Sequence, residues 1–135
     1  MLVFSRKRIV FSNQYSVNMK DFKKQEIWRR SHQLTLEIYR ATQQFPKEEI
    51  YGLTSQIRRA MSSIPTNIAE GCGRRTNAEL ANFLNIASGS ASEIEYEILL
   101  AKEIGYITQE QYEVWTKEIE EVRSMLAAYM HKLKN

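Results

Sequence analysis

Apolar and small residues recur along the chain at alternating steps of three and four, in four successive stretches. The first is Ile27, Ser31, Leu34, Ile38, Ala41 and Phe45, and the second Leu53, Ile57, Ala60, Ile64 and Ile68. The third is Leu80, Leu84, Ala87, Ala91, Ile94, Ile98 and Ala101, and the fourth Tyr112, Trp115, Ile119, Val122, Leu126, Tyr129 and Leu133. A repeat of about 3.5 residues keeps one stripe of each helix against its neighbours and winds the helices left-handed at shallow angles. No stretch alternates with period two, so no strand is expected. The pattern predicts an all-α, antiparallel, up-down-up-down, left-handed four-helix bundle over residues 19–135. Its helices are expected near 24–45, 48–72, 77–104 and 108–132.

Punctuation supports these limits. Pro46 follows Phe45 and can open the second helix at its first turn. Thr76 with Glu79, and Thr108 with Gln111, have capping-box spacing at the starts of helices three and four. Gly71, Gly73 and Gly105 can end helices in the left-handed conformation. Pro65 lies inside the second stretch, yet the apolar phase continues across it, so the helix is expected to be kinked there rather than stop. Ser62 and Ser63 stand where they could bond the backbone groups that proline frees. Gly89, in the middle of helix three, costs about 1 kcal/mol relative to alanine. Either tight packing against helix two or a partner surface would account for it.

Helix two carries a polar stripe beside its core face: Gln56, Arg59, Ser63, Asn67, Glu70 and Arg74. Ser90, Glu93 and Glu97 form a shorter one on helix three. Facing each other, these flanks form a structural polar layer in which Arg59 is expected to reach Glu93 or Glu97. Asn67 and Glu70 are expected to form hydrogen bonds near the turn between helices two and three. No metal site is expected, because His32 and His131 are on the first and last helices without ligand spacing. No cofactor motif is present. Trp28, Tyr39, Tyr51, Tyr96 and Met125 fall outside the seams and suggest a partner surface.

Composition narrows the function classes. Hydrophobic residues make up 43% of the 135-residue chain and charged residues 26%, as in a single globular domain. Apolar runs are far shorter than the roughly 20 residues of a membrane helix. Arg6, Lys7 and Arg8 interrupt the apolar start, unlike a secretory signal, so a cytoplasmic location is expected. The lone Cys72 cannot close a disulfide within the chain and reads as a small helix-end residue. The net charge of +3 is unevenly spread. Residues 1–24 hold six basic side chains against one acid, 25–76 hold eight against five, and 77–107 hold one against five. Three arginine doublets, Arg29-Arg30, Arg58-Arg59 and Arg74-Arg75, join Lys20, Lys23 and Lys24 as candidate phosphate contacts.

The runs GLTSQIRRAMSSIPTNIAEGCGRR (52–75) and FLNIASGSASEIEYEILLAKEIGYI (83–107) closely resemble the bacterial 23S ribosomal RNA intervening-sequence proteins, also called S23 ribosomal proteins. The resemblance covers roughly residues 19–130, leaving 1–18 as an extension for which disorder is the expectation. The accessory protein of diversity-generating retroelements is similar too. The resemblance implies a four-helix bundle assembled as a homopentamer, contact with RNA or a ribonucleoprotein partner, and no catalytic activity. Under that reading the arginine doublets and lysines noted above, Arg58, Arg74 and Arg75 with Lys20, Lys23, Lys24, Arg29 and Arg30, are the expected RNA-contacting set. A protein–protein scaffold that ignores nucleic acid is the alternative. An enzyme is disfavoured: a helical ribonuclease of the HEPN type needs Arg-x4-6-His, and Arg123 and His131 are too far apart.

Overall fold

The computed structural model describes residues 20–134, so expectations about 1–18 lie outside the described residues. Four long helices make up the fold: α1 (Glu26–Thr42), α2 (Leu53–Cys72), α3 (Asn77–Glu103) and α4 (Gln109–Lys134). No strand occurs among the described residues. The helices form a bundle whose centre is the predicted seams: Ile38, Ile64, Ile68, Leu84, Ala87, Ile94, Ile98, Ile119 and Leu126 are fully buried.

Two junctions follow the capping prediction closely. At α4, Gln111 N donates to Thr108 Oγ1 at 3.0 Å while Thr108 N donates to Gln111 Oε1 at 2.8 Å, a reciprocal box. At α3, Glu79 N donates to Thr76 Oγ1 at 3.1 Å. Gly105, with φ +88°, ends α3 in the left-handed conformation.

The start of α2 differs from expectation. Pro46 opens a separate 3-10 turn, Lys47–Glu49, and α2 begins only at Leu53, after Gly52. The cause is Glu49, which occupies the helix start from outside it. Its Oε1 accepts from Leu53 N at 3.0 Å and its Oε2 from Tyr106 Oη at 2.9 Å. Both bonds hold the Glu49 carboxyl below its usual range, the backbone donor most strongly. One side chain thereby satisfies an orphan amide of α2 and anchors the segment leading into α4.

Helix α2 runs unbroken through Pro65. Ser62 Oγ donates to Arg59 O at 3.4 Å rather than to the carbonyl of Met61, and Ser63 is engaged elsewhere. The close approach of α2 to α3 lies at Gly71, where a Cβ would sit 2.9 Å from Leu80 Cδ1 and 3.0 Å from Phe83 Cβ. Gly89 has nothing within 4 Å of the same position, which overturns tight internal packing as its reason. Gly73 has φ −85°, so it is not the left-handed terminator anticipated.

Candidate functional site

The basic residues separate into two kinds once the helices are packed. Arg30 makes a two-point contact with Glu118, Nε to Oε2 and Nη2 to Oε1, both 2.9 Å, and its Nη1 lies 3.7 Å from Met125 Sδ. Arg58 Nε donates to Thr42 Oγ1 at 2.9 Å and Nη2 to Tyr39 O at 3.2 Å, with the guanidinium over the Tyr39 ring. Both arginines therefore bind helix to helix within the chain. Arg58 closes the last turn of α1, where carbonyls lack partners. Arg29 is held by Glu26 at 2.6 Å and by Lys23 O at 3.1 Å.

The remaining candidates converge on one end of the bundle. Lys20 N donates to Cys72 O at 2.8 Å, which pins the entering chain to the last turn of α2. Asp21 then accepts from Lys23 N at 3.0 Å, setting the turn Phe22–Lys24. Lys20, Lys23 and Lys24 thus lie beside the segment that holds Arg74 and Arg75. Arg74 is paired with Glu70 at 3.2 Å and lies over the Phe83 ring at 4.9 Å. Lys132, near the end of α4, borders the same recess as Lys20, with Asn77 and Tyr129. Lys132 is not in the set expected from the sequence.

Burial beneath this surface is apolar. Cys72 is fully buried, and desolvation raises its thiol. Tyr129 beside it is pushed up to about 12, chiefly by burial. Neither group offers reactive chemistry near neutral pH. Among the described residues, no three His, Cys, Asp or Glu side chains group as a metal site.

The polar layer forms in part. Ser90 Oγ donates to Ser63 Oγ at 2.8 Å, and Asn67 Nδ2 donates to Ser63 O at 2.8 Å and Oγ at 2.9 Å. Asn67 thus bonds one turn back in its own helix, while Glu70 bonds at the turn, to Arg74. Gln56 is exposed. The expected contact of Arg59 is corrected. It is exposed, makes no ion pair with Glu93 or Glu97 among the described residues, and acts on Glu97 only through its charge at longer range. A guanidinium left in water avoids the desolvation that a buried pair would impose. Glu97 is 5% exposed, and its Oε1 has no donor. Burial first, then the neighbouring Glu93 carboxylate, raise it to about 7.

Of the aromatic and sulfur side chains outside the seams, Tyr51 is 95% and Tyr96 62% exposed. Trp28 instead stacks on His32, 4.6 Å between ring centroids, and meets Phe22 edge-on. Met125 packs under Arg30.

A model of the 23S rRNA-intervening sequence protein family matches residues 23–128, most of the chain. The chain belongs to that family. A crystal structure from Bacteroides thetaiotaomicron, of a protein of unknown function from the S23 ribosomal protein family, is 28% identical. It superposes with a TM-score of 0.72 over 78% of this chain and 95% of that one. No curated protein matches. Among the described residues of this family member, no helix is long and apolar enough to cross a membrane.

Proposed function

We propose that this 23S rRNA-intervening sequence protein is a non-enzymatic, homopentameric module that contacts RNA phosphates through the basic end of its bundle. The single observation that carries this reading is the Lys20–Cys72 hydrogen bond, which joins the lysine-rich entry to the Arg74-Arg75 turn. Lys20, Lys23, Lys24, Arg74 and Arg75 then act together, with Lys132 across the recess. Because Glu118 and Thr42 already hold Arg30 and Arg58, these two serve the fold and not the RNA. Residues 19–135 are taken as one cytoplasmic, antiparallel, left-handed bundle bent at Pro65. Contacts such as Gly71 with Leu80 and Ser63 with Ser90, whose partners diverge in number, support the antiparallel order.

A gel shift across a salt series tests the reading. Binding to unstructured RNA should weaken steeply with salt and depend little on sequence. Replacing Lys20, Arg74 and Arg75 with alanine should lower affinity by roughly tenfold or more and flatten the salt slope by about one per lost phosphate contact. Unchanged affinity would reject the RNA site and favour the scaffold reading, for which the exposed aromatics already speak.

A further inference from the structure

The recess at the basic end has two kinds of wall. It holds about 690 Å³, the size of a small-ligand site. Ile27, Met125, Tyr129 and Leu133 make part of it apolar, and all of these but Ile27 are only half-buried. Lys20 and Lys132 border the same space, with the side-chain amides of Gln25 and Asn77. Neither lysine makes an ion pair among the described residues. Glu26 is the one acid lining the recess, and Arg29 already holds it at 2.6 Å. The positive charge of the two lysines is therefore left for something outside the chain.

Tyr129 adds a second, neutral handle. Burial pushes it up to about 12, so its hydroxyl keeps its proton at physiological pH. That hydroxyl has no hydrogen-bond partner among the described residues, although a tyrosine so placed normally finds one. The recess thus brings together ring surface, an unused hydroxyl, two amides and two cations. A free phosphate would engage the lysines alone, and an aliphatic anion would leave the amides and the hydroxyl unmatched.

A ligand that engages all of them has a flat apolar body, polar edges and anionic groups on either side. An unpaired nucleotide within an RNA strand has this chemistry, whereas a base inside a duplex has its faces stacked and its edges paired. Charge beyond the recess favours a strand over a free nucleotide. Lys23 and Lys24 follow Lys20, and the Lys20–Cys72 hydrogen bond brings this segment beside Arg74 and Arg75. We propose that the recess between Lys20 and Lys132 takes one unpaired nucleotide of a single-stranded RNA, with its base against Tyr129 and its flanking phosphates on the two lysines. Stacking on an aromatic ring tolerates any base, so the site selects strandedness and not sequence. This rests on the RNA contact of the proposed function and names the form of RNA that it takes.

Fluorescence anisotropy on the full chain tests it, with circular dichroism to check folding. The probes are a short single-stranded RNA, an abasic strand of the same length that keeps every phosphate, and a blunt RNA duplex. The single strand should bind roughly tenfold more tightly than the abasic strand, as the stacking of one base implies, and more tightly than the duplex. Ala128→Leu fills the recess from an exposed lining position and should stay helical. Both it and Tyr129→Leu should abolish the preference for bases and leave affinity for the abasic strand unchanged. Lys20→Ala and Lys132→Ala should weaken both strands alike, since each carries the phosphates. No binding of any RNA would overturn the proposed function and this inference together. An abasic strand or a duplex bound as tightly as the single strand would overturn the nucleotide site alone. So would a preference for bases that survives both Ala128→Leu and Tyr129→Leu.

Discussion

Glu97 shows how one buried carboxyl ties stability to pH. Unfolded, it loses its proton near the ordinary value of 4.5; folded, it keeps it up to about 7. Between these values the folded chain binds the extra proton, so this contribution favours folding in acid and disappears as pH rises toward 7. Glu97→Gln keeps the shape and removes the titration. In urea denaturation the variant should gain stability over the wild type as pH rises from 5 to 8. A difference constant across that range would contradict a raised carboxyl. The neighbouring Ser63–Ser90–Asn67 bonds are neutral and should not follow pH.

At the scale of the helix, two glycines with similar sequence surroundings have opposite roles. Gly71→Ala would place a methyl 2.9 Å from Leu80 Cδ1 and 3.0 Å from Phe83 Cβ, so the buried Leu80 side chain or the spacing of α2 and α3 must give, at a cost of about 1–3 kcal/mol. Gly89→Ala meets nothing and should stabilise the folded chain by up to about 1 kcal/mol through helix propensity. Thermal or chemical melting of the two variants should move in opposite directions; a loss at both positions would refute the distinction. The 3.5-residue seams made the four helices legible, because burial alone sets that period. The late start of α2 was not legible, since it depends on Glu49 reaching Tyr106, a residue 57 positions away. The same holds for the arginine doublets. Whether Arg30 meets Glu118 or water is decided by which helix packs beside it, which repeat spacing alone does not specify. Trp28 and Met125, outside the seams, have intramolecular neighbours in His32 and Arg30 for the same reason. The gathering of Lys20 with Arg74 and Arg75 rests on a backbone hydrogen bond and left no side-chain pattern to read.

For the whole molecule, the first and last helices share the two-point Arg30–Glu118 contact, whose side chains are 31% and 30% exposed. Partial hydration moderates its strength, so Arg30→Ala should destabilise by about 1 kcal/mol. That contact spans 88 residues of chain, whereas α2, α3 and α4 meet their neighbours across short turns. Closing a long loop is entropically dear, and local hairpins of helices form first. The α1–α4 seam should therefore zip shut after the folding barrier is crossed. Stopped-flow kinetics should show Arg30→Ala accelerating unfolding with little effect on the refolding rate. Slowed refolding would instead put this seam in the nucleus. With that outcome Arg30 acts as a latch, setting how long the finished bundle stays closed and not how fast it is made.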